Sequence, residues 1–322
     1  MQITRKKPVN YNSNDVELFQ NEFCRTIIRQ NKTSHKSVLL NKKSVFHSLN
    51  PFHKNNSNET YKLKKISLSN LYHIIVKRDI KTISKEVSLI TDGWSQGFFH
   101  WLFDALPKLI ELEKEGKKNK IILHSSFWTS FYKESLLLLG YNESDFIFFS
   151  TQFVFCKKIK LPTYIEPTGN YDEKIIVELH DRFYKALNKS SSKPFRKIYI
   201  SRNKSKRRRL YNEAELLPIL NKYGFETVYT ENLNFTEQVQ LFLETEIVIG
   251  VHGAGLSNML FMKPETKVME LRFENETNDN CYFSLASALK INYFYCLGKK
   301  IDTDIKIENK VFSQEIEKLI KH

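Results

Sequence analysis

Apolar residues occur along this chain in two kinds of run, and the alternation of these runs predicts an α/β fold. Short runs rich in β-branched residues, such as Ile247–Val251 and Lys197–Ser201, are typical of buried strands. Segments with apolar residues three and four positions apart follow most of them, as amphipathic helices require. Because strands and helices alternate in this way, the pattern favours parallel sheets.

The same pattern places the individual elements. Predicted strands cover residues 85–91, 120–124, 146–149, 156–161, 197–201, 226–229, 247–251, 267–271 and 293–296. Predicted helices cover residues 14–28, 96–107, 131–139, 172–187, 212–223, 234–242, 256–261, 284–289 and 311–320. Asp172, Asn212 and Asn234 are the expected N-caps of three of these helices, and Pro107 is expected to kink or break another.

The length of 322 residues favours two domains. The polar segment Ser190–Phe195, which contains Pro194, cannot continue a helix and is the predicted linker. The predicted organisation is therefore an N-terminal lobe at 1–189, whose first 60 residues carry little pattern, the linker at 190–195, a C-terminal lobe at 196–300 and a tail helix at 301–322. Pro51–Asn58 is the predicted polar loop of the first region.

The net charge of +14 and the pI near 9.4 favour an anionic partner, namely a nucleotide, a nucleic acid or lipid headgroups. The four cysteines are scattered without a CxxC pair, so neither a zinc site nor a disulfide framework is indicated. No apolar run has the length of a membrane helix, and the basic N-terminus lacks the apolar segment of a signal peptide. We therefore expect a cytoplasmic protein.

The segment His252-Gly253-Ala254-Gly255 follows a predicted buried strand and precedes a predicted helix. Two glycines there allow the backbone to approach a ligand closely, and a helix N-terminus favours a phosphate. A tight packing turn is the simpler alternative. Asn258 stands where the dinucleotide fingerprint has its third glycine, and the loop lies late in the chain, so NAD is not expected.

A basic run, Arg202–Arg209, leaves the carboxyl end of another predicted strand. Arginines at that edge can bind a diphosphate through paired hydrogen bonds. A solvated charge run and a nucleic-acid patch are the alternatives. Nucleic-acid binding spreads charge over a whole face, which this short run does not do, so we expect Arg202 and at least one of Arg207, Arg208 and Arg209 to bind a diphosphate.

His100 and Asp104 lie four positions apart on a predicted helix and therefore share one face. The helix follows a predicted strand, at the edge where α/β folds place ligand groups. A histidine–carboxylate pair there is suited to acid–base catalysis. A pair satisfied locally on a buried helix is an equally weighted alternative.

Two groups of motifs resemble glycosyltransferase family 61, and the match covers roughly Gly93 to Leu271. One is Phe99–Leu109, FHWLFDALPKL, with Lys108 where the family commonly has Arg. The other comprises Tyr199–Arg202, Arg207–Arg209, Asn212-Glu213, Val251–Asn258, Phe261, Pro264 and Glu270. The resemblance implies a GT-B fold, with two Rossmann-like lobes whose parallel sheets face a cleft. It implies an inverting glycosyltransferase that uses a nucleotide sugar, usually UDP-linked, without a required metal or other cofactor.

Under this resemblance the N-terminal lobe binds the acceptor and supplies the base, which we expect to be Asp104, with His100 orienting it or acting as the base itself. Glu270 is expected to accept hydrogen bonds from ribose hydroxyls. The nucleotide-sugar site is expected to comprise Arg202, Arg207, Arg208, Arg209, His252, Gly253, Ala254, Gly255, Leu256, Asn258 and Glu270, with backbone N–H groups of Gly253–Leu256 on the diphosphate.

Small bacterial members of the family are associated with surface or capsular polysaccharide synthesis. The expected acceptor is therefore a glycan or a lipid-linked glycan, which would be met at the inner face of an anionic membrane, and nucleic acid is not an expected partner. A non-catalytic nucleotide- or polyanion-binding protein on the same fold is the alternative function.

Asp302-Thr303-Asp304 has the DxD spacing with which the other large glycosyltransferase fold holds a divalent cation. It lies after the donor motifs, where no second half of such a site remains. We therefore expect this DxD to be incidental and the enzyme to need no metal.

Overall fold

The computed structural model describes residues 2–19, 24–26, 28–30, 33–42, 46–48, 64–114, 116, 119–162, 164–166, 169, 171–187, 193–275 and 280–322. The predicted loop at 51–58 and positions 190–192 of the predicted linker lie outside this part of the chain.

The strands, in chain order, are β1 (Gln2–Thr4), β2 (Cys24–Thr26), β3 (Ile28–Gln30), β4 (Thr33–Asn41), β5 (Phe46–Ser48), β6 (Lys64–Lys65), β7 (Ile80–Leu89), β8 (Lys120–His124), β9 (Phe146–Phe149), β10 (Phe153–Leu161), β11 (Tyr164–Glu166), β12 (Arg196–Ile200), β13 (Glu226–Val228), β14 (Thr245–Val251), β15 (Lys267–Phe273), β16 (Asn292–Ile301) and β17 (Asp304–Lys306). The α-helices are α1 (Leu68–Ile75), α2 (Phe98–His100), α3 (Leu106–Glu113), α4 (Ser130–Leu138), α5 (Glu173–Ala186), α6 (Glu213–Lys222), α7 (Phe235–Leu243), α8 (Cys281–Ala288) and α9 (Asn309–Lys321). A π-helical turn, Trp101–Ala105, joins α2 to α3, and 3₁₀ turns cover Ser13–Phe19, Ser125–Phe127, Glu143–Asp145, Thr230–Asn232 and Ala254–Phe261.

The chain forms two compact units. The first unit is Ile28–Glu166, and the second unit combines Met1–Ile27 with Pro167–His322. This division differs from the predicted boundary at 190–195, because α5 belongs to the second unit. Its buried Phe183 packs edge-to-face on Phe235 and Phe261 of that unit, and no feature of the local sequence encodes this choice.

The first unit contains a seven-stranded sheet of order β6-β5-β4-β10-β7-β8-β9. The strands from β10 to β9 are parallel to one another, whereas β4 runs antiparallel to β10. The prediction of a wholly parallel sheet is therefore wrong here, and the sheet is mixed. The antiparallel strands come from the first 65 residues, where the apolar pattern predicted no strand.

The second unit contains a six-stranded sheet of order β13-β12-β14-β15-β16-β17. Its first five strands are parallel, as predicted, and β17 forms an antiparallel hairpin with β16 at the edge. Helix α9 buries Phe312, Ile316 and Leu319 in the same core. Residues 301–322 are therefore part of the second unit rather than a separate tail.

The predicted helix at 14–28 is wrong. The chain instead makes a 3₁₀ turn at Ser13–Phe19, and Cys24–Thr26 pairs with Gln2–Thr4 as an antiparallel strand. Phe19 is buried among aromatic rings of the C-terminal part, including Phe283 and Tyr295. Burial of apolar area against distant residues outweighs the local helical spacing.

The parallel strands of each sheet place their loops as α/β architecture requires. In the second unit the loops after β12, β13 and β14 leave neighbouring strands at the same edge of the sheet. In the first unit the segment after β7 leads directly into α2 and the π-helical turn. Within the part of the chain that the structure describes, no helix is long and apolar enough to span a membrane.

Candidate functional site

The glycine loop after β14 lies against Arg202, which follows the neighbouring strand β12. A Cβ atom built on Gly253 would collide with Nη1 of Arg202 and lie 2.9 Å from its Cζ. The backbone of Gly253 is extended, a conformation open to any residue. An alanine Cβ at this position would therefore displace the guanidinium group, and the glycine loop and Arg202 lie side by side in this structure.

Arg202 is held in place by backbone carbonyls of its own loop. Its Nε donates to the carbonyl of Arg208 at 2.9 Å, and Nη2 donates to that of Arg207 at 3.3 Å. Burial lowers the pKa of Arg202, although an arginine remains charged at any physiological pH. A fixed cation thus stands beside the glycine loop, which is the arrangement that a diphosphate needs.

The other three arginines have different surroundings. Arg207 is exposed, and Arg208 is half-buried in a left-handed conformation with φ of 55°. Arg209 forms an ion pair with Asp304, with Nη2–Oδ2 at 2.7 Å and Nε–Oδ2 at 2.9 Å. Arg209 therefore anchors its loop in this structure, which differs from the diphosphate contact considered for it.

The DxD segment is part of this anchor. Oδ1 of Asp304 accepts from the backbone N–H of Arg209 at 2.9 Å, and the carbonyl of Thr303 accepts from that of Arg208 at 3.0 Å. The bonds from Arg209 lower the pKa of Asp304, which is buried, whereas Asp302 is exposed. Among the described residues, no group of three or more His, Cys, Asp or Glu side chains is placed to hold a metal ion.

His252, the first residue of the loop, belongs to a buried polar chain. Its Nδ1 lies 2.5 Å from Oε1 of Glu270, and the hydroxyl of Tyr293 donates to the other oxygen of that carboxylate. Burial acts to raise the pKa of Glu270, but the charges of His252 and Arg272 and the bonds to it outweigh burial and lower the pKa. The carboxylate is therefore held ionised below the loop.

This placement differs from the predicted ribose contact of Glu270. The side chain is fully buried, and both carboxylate oxygens accept hydrogen bonds from protein groups. Its position near the carboxyl end of β15 suggested contact with a ligand. The carboxylate is instead buried and bonded to Tyr293 of the neighbouring strand, and sequence spacing cannot show this pairing. Glu270 orients the imidazole of His252.

The segment after the glycines is a 3₁₀ turn, Ala254–Phe261, rather than the predicted α-helix. The N–H of Leu256 donates to the carbonyl of Gly253 at 2.9 Å, so this predicted phosphate donor is already used. Asn258 is buried, and its Nδ2 donates to Oε1 of Gln238 and to the carbonyl of Gly255, both at 3.0 Å. Asn258 thus braces the loop from below.

A small cavity of about 30 Å³ lies beside Arg202 and Gly255. Thr230 and Glu231 also line it, and the sequence analysis did not select either residue. They directly follow the predicted strand at residues 226–229, so their position at the carboxyl edge of the sheet could have been predicted from the sequence. The charge of Glu231 contributes to the electrostatic environment of Arg202.

The first unit brings His100 and Asp104 together as the spacing predicts. Nδ1 of His100 lies 2.7 Å from Oδ2 of Asp104, and their side chains are 28% and 7% exposed. The hydrogen bond to Asp104 and its negative charge raise the pKa of His100. Asp104 therefore lies behind the imidazole, while the imidazole is the member of the pair that solvent or a substrate can reach.

The pair is built on the π-helical turn Trp101–Ala105, and such turns are frequent at functional sites. The turn ends directly before Pro107, so the helix continues through the proline to Glu113 instead of breaking. Trp101 fixes the turn, since its ring is stacked on Phe127 and its Nε1 donates to Oγ of Ser135 at 2.8 Å.

Comparison with known proteins identifies a family and several relatives. The family model described as Glycosyltransferase 61 matches residues 98–269, which is more than half of the chain. An EGF domain-specific O-linked N-acetylglucosamine transferase of Drosophila melanogaster is 38% identical over 108 residues, covering 33% of this chain and 20% of the relative. The proteins of the same description from Pan troglodytes and Bos taurus are each 31% identical over 113 residues, covering 34% of this chain and 19% of the relative. The chain thus spans about a fifth of the length of these relatives.

Proposed function

The chain belongs to glycosyltransferase family 61, and from this we propose that it transfers a sugar from a UDP-linked donor to a hydroxyl of a glycan or lipid-linked glycan. The observation that carries the proposal is the position of the family match. Residues 98–269 include both the His100–Asp104 pair and the Arg202–Gly253 contact. Because the named relatives transfer N-acetylglucosamine, UDP-N-acetylglucosamine is the first donor to test, with other hexosyl and pentosyl donors after it.

We place the donor on the second unit, which in this proposal is the nucleotide lobe of a GT-B enzyme. Arg202 supplies a fixed positive charge, and Gly253 lets a phosphate approach the backbone beside it. Hydrogen bonds to charged groups contribute roughly 1.5–3 kcal/mol each. His252, oriented by Glu270, is a further donor contact, and the exposed Arg207 is the second arginine available to the diphosphate.

The chemical step that we propose is a single displacement with inversion. The acceptor oxygen forms a bond to the anomeric carbon as the bond from that carbon to the diphosphate oxygen breaks. His100 takes the hydroxyl proton, and Asp104 orients the ring and stabilises the imidazolium that forms. Arg202 stabilises the negative charge on the departing diphosphate. The reaction as proposed needs no metal ion.

The raised pKa of His100 is consistent with this division of roles. A more basic imidazole is a better proton acceptor, and its neutral form increases as the pH rises through that pKa. The alternative function, nucleotide or polyanion binding without catalysis, is favoured only by the fact that the His100–Asp104 pair is satisfied locally. Burying a carboxylate behind a partly exposed histidine is unnecessary for nucleotide binding, so we rank this alternative second.

The test is the release of nucleotide diphosphate from a panel of UDP-, GDP- and TDP-linked sugars, measured by mass spectrometry with and without added glycans. We expect turnover of at least one donor by the wild-type protein and none by a His100→Ala/Asp104→Asn double variant. Tight UDP binding with no turnover of any donor would favour the non-catalytic alternative. The proposed roles in cell-surface or capsular polysaccharide synthesis and at the inner membrane face depend on the acceptor that this assay identifies.

A further inference from the structure

Trp94 is a large aromatic side chain that is 73% exposed, in the loop between β7 and α2. The loop that carries it is held by a partly buried electrostatic contact. Oδ1 of Asp92 accepts from the backbone N–H groups of Trp94 at 2.9 Å and Ser95 at 3.1 Å, and Lys108 lies 3.5 Å from Oδ2. Burial acts to raise the pKa of Asp92, but the charge of Lys108 and these bonds outweigh it and lower the pKa. The ring is thus presented to solvent from a fixed support.

Trp94 lies directly beside the proposed catalytic pair. Its ring centroid is 5.8 Å from that of His100, with the two planes inclined by 34°. Phe99 contacts the same imidazole at 5.3 Å between centroids, edge to face. The proton-accepting side chain therefore has an aromatic surface next to it, within the first unit and within reach of a single ligand.

We propose that Trp94 is the stacking platform for the acceptor, and that it binds the apolar C–H face of the pyranose ring whose hydroxyl is glycosylated. This inference rests on the proposed function. An aromatic face carries negative electrostatic potential and attracts the weakly positive C–H groups of a sugar. The 5.8 Å between the ring centroids of Trp94 and His100 brings a sugar bound on Trp94 into the neighbourhood of the imidazole.

The surrounding charges favour the acceptor over the donor as the occupant. Asp92 and Asp104 both lie close to this surface, and the nearby cationic groups Lys108 and His100 are paired with these carboxylates, which disfavours a diphosphate here. The fixed cation suited to a diphosphate is Arg202, in the second unit. A neutral sugar face is therefore the ligand chemistry that Trp94 fits.

The test uses saturation-transfer NMR with methyl glycosides of common hexoses and N-acetylhexosamines as probes, so it needs neither a donor nor turnover. We expect at least one glycoside to bind the wild-type protein, with affinity reduced about five-fold by Trp94→Ala and less by Trp94→Phe. Trp128→Phe is the matched control, since it changes a half-buried tryptophan of the same unit and should leave binding unchanged. Calorimetry with UDP should give the same affinity for all four proteins.

Three results would overturn the assignment. Glycoside binding that survives Trp94→Ala unchanged would remove the residue from the site. A loss of UDP affinity in Trp94→Ala would instead make the ring a nucleobase platform. Turnover of a nucleotide sugar by a wild-type protein that binds none of the glycosides would leave the platform without its ligand. Failure of the proposed function would be seen differently. In that case no nucleotide sugar would be turned over, whether or not a glycoside binds.

Discussion

At the scale of single residues, His100 and Asp104 differ in solvent exposure, although their spacing of four residues places both on the same face of the helix. The carboxylate is buried and bonded to Nδ1, whereas the imidazole is partly exposed. Asp104 was the expected base, with His100 as the alternative. The geometry favours the alternative, because a base must be within hydrogen-bond reach of the proton that it removes.

We predict that Asp104→Asn lowers turnover of the donor about a hundred-fold or more while leaving donor affinity near that of the wild type. The amide cannot stabilise the imidazolium, and it removes the negative charge that raises the pKa of His100. Steady-state kinetics and UDP calorimetry give the two quantities separately. His100→Gln is the companion variant, and its turnover should fall at least as far. Undiminished turnover in Asp104→Asn would exclude Asp104 from the mechanism and leave the role to His100 alone. Loss of folding in both variants would support a structural role for the pair.

The partners of other side chains could not be predicted from the sequence positions alone. Spacing selected His100, Asp104, Arg202 and Gly253 as candidates, because each follows the end of a recognisable strand. It could not show that Glu270 is buried and bonded to Tyr293. Nor could it show that Asn212, which does stand at the predicted N-cap position, directs its side chain to the backbone of Ile307 rather than to its own helix. Those partners come from distant parts of the chain, and the pairing is made by the tertiary fold.

At the scale of elements, the loops after β12 and β14 are in close contact through Arg202 and Gly253. The atoms nearest to a Cβ on Gly253 all belong to Arg202, so an added methyl group meets the guanidinium rather than the backbone. We therefore expect the two loops to act together in the proposed donor binding.

A double-mutant cycle tests this coupling. We predict that Arg202→Ala weakens UDP binding about ten-fold or more through loss of a charge-assisted bond. Gly253→Ala should weaken UDP binding by a comparable factor in the wild-type background, because the new Cβ displaces the guanidinium group. In the Arg202→Ala background it should cost less than about two-fold, since the clash is gone. Equal effects of Gly253→Ala in both backgrounds would show that the loop and the arginine act independently.

The DxD segment allows a charge-matched comparison. We predict that Asp304→Asn weakens UDP binding about two- to five-fold, because the loop of Arg202 loses its ion pair with Arg209. Asp302→Asn removes the same charge from an exposed residue in a left-handed conformation that asparagine tolerates, so UDP binding should stay within about two-fold of the wild type. Equal losses in both variants, together with activity that depends on added Mn²⁺, would instead identify a metal-binding DxD.

Several elements followed directly from the sequence, and the reasons are local. Strands Lys120–His124 and Phe146–Phe149 have the predicted bounds, and Asn234 and Glu237 form the expected capping box. The π-helical turn, the 3₁₀ turn after the glycines and the antiparallel strand β4 were not predicted. The local sequence of each of these segments is compatible with more than one backbone conformation. Packing against distant parts of the chain selects the conformation that is observed.

At the scale of the whole molecule, the charge of +14 is larger than the proposed donor site requires. Much of it lies outside the Arg202–Arg209 run, so we expect a second anionic partner, which fits the proposed lipid-linked acceptor. Attraction between exposed charges and an anionic surface weakens as salt shortens the Debye length from about 30 Å at 0.01 M to about 3 Å at 1 M.

We therefore predict that the protein co-sediments with vesicles containing anionic phospholipid at low salt and is released as the salt concentration rises. Vesicles of zwitterionic phospholipid alone are the control and should retain little protein at any salt concentration. Absence of binding to anionic vesicles at low salt would point to an acceptor that is not presented on a membrane.

The central claim is that this family 61 chain turns over a nucleotide sugar that is held by Arg202 beside the glycine loop. The most direct measurement is the rate of UDP release from UDP-N-acetylglucosamine and the other UDP-sugars of the panel, with wild type and Arg202→Ala compared at equal concentration. We predict release by the wild type with at least one donor, and a value of kcat/KM reduced about ten-fold or more in Arg202→Ala. Equal rates for the two proteins, or no release from any nucleotide sugar by the wild type, would contradict the account.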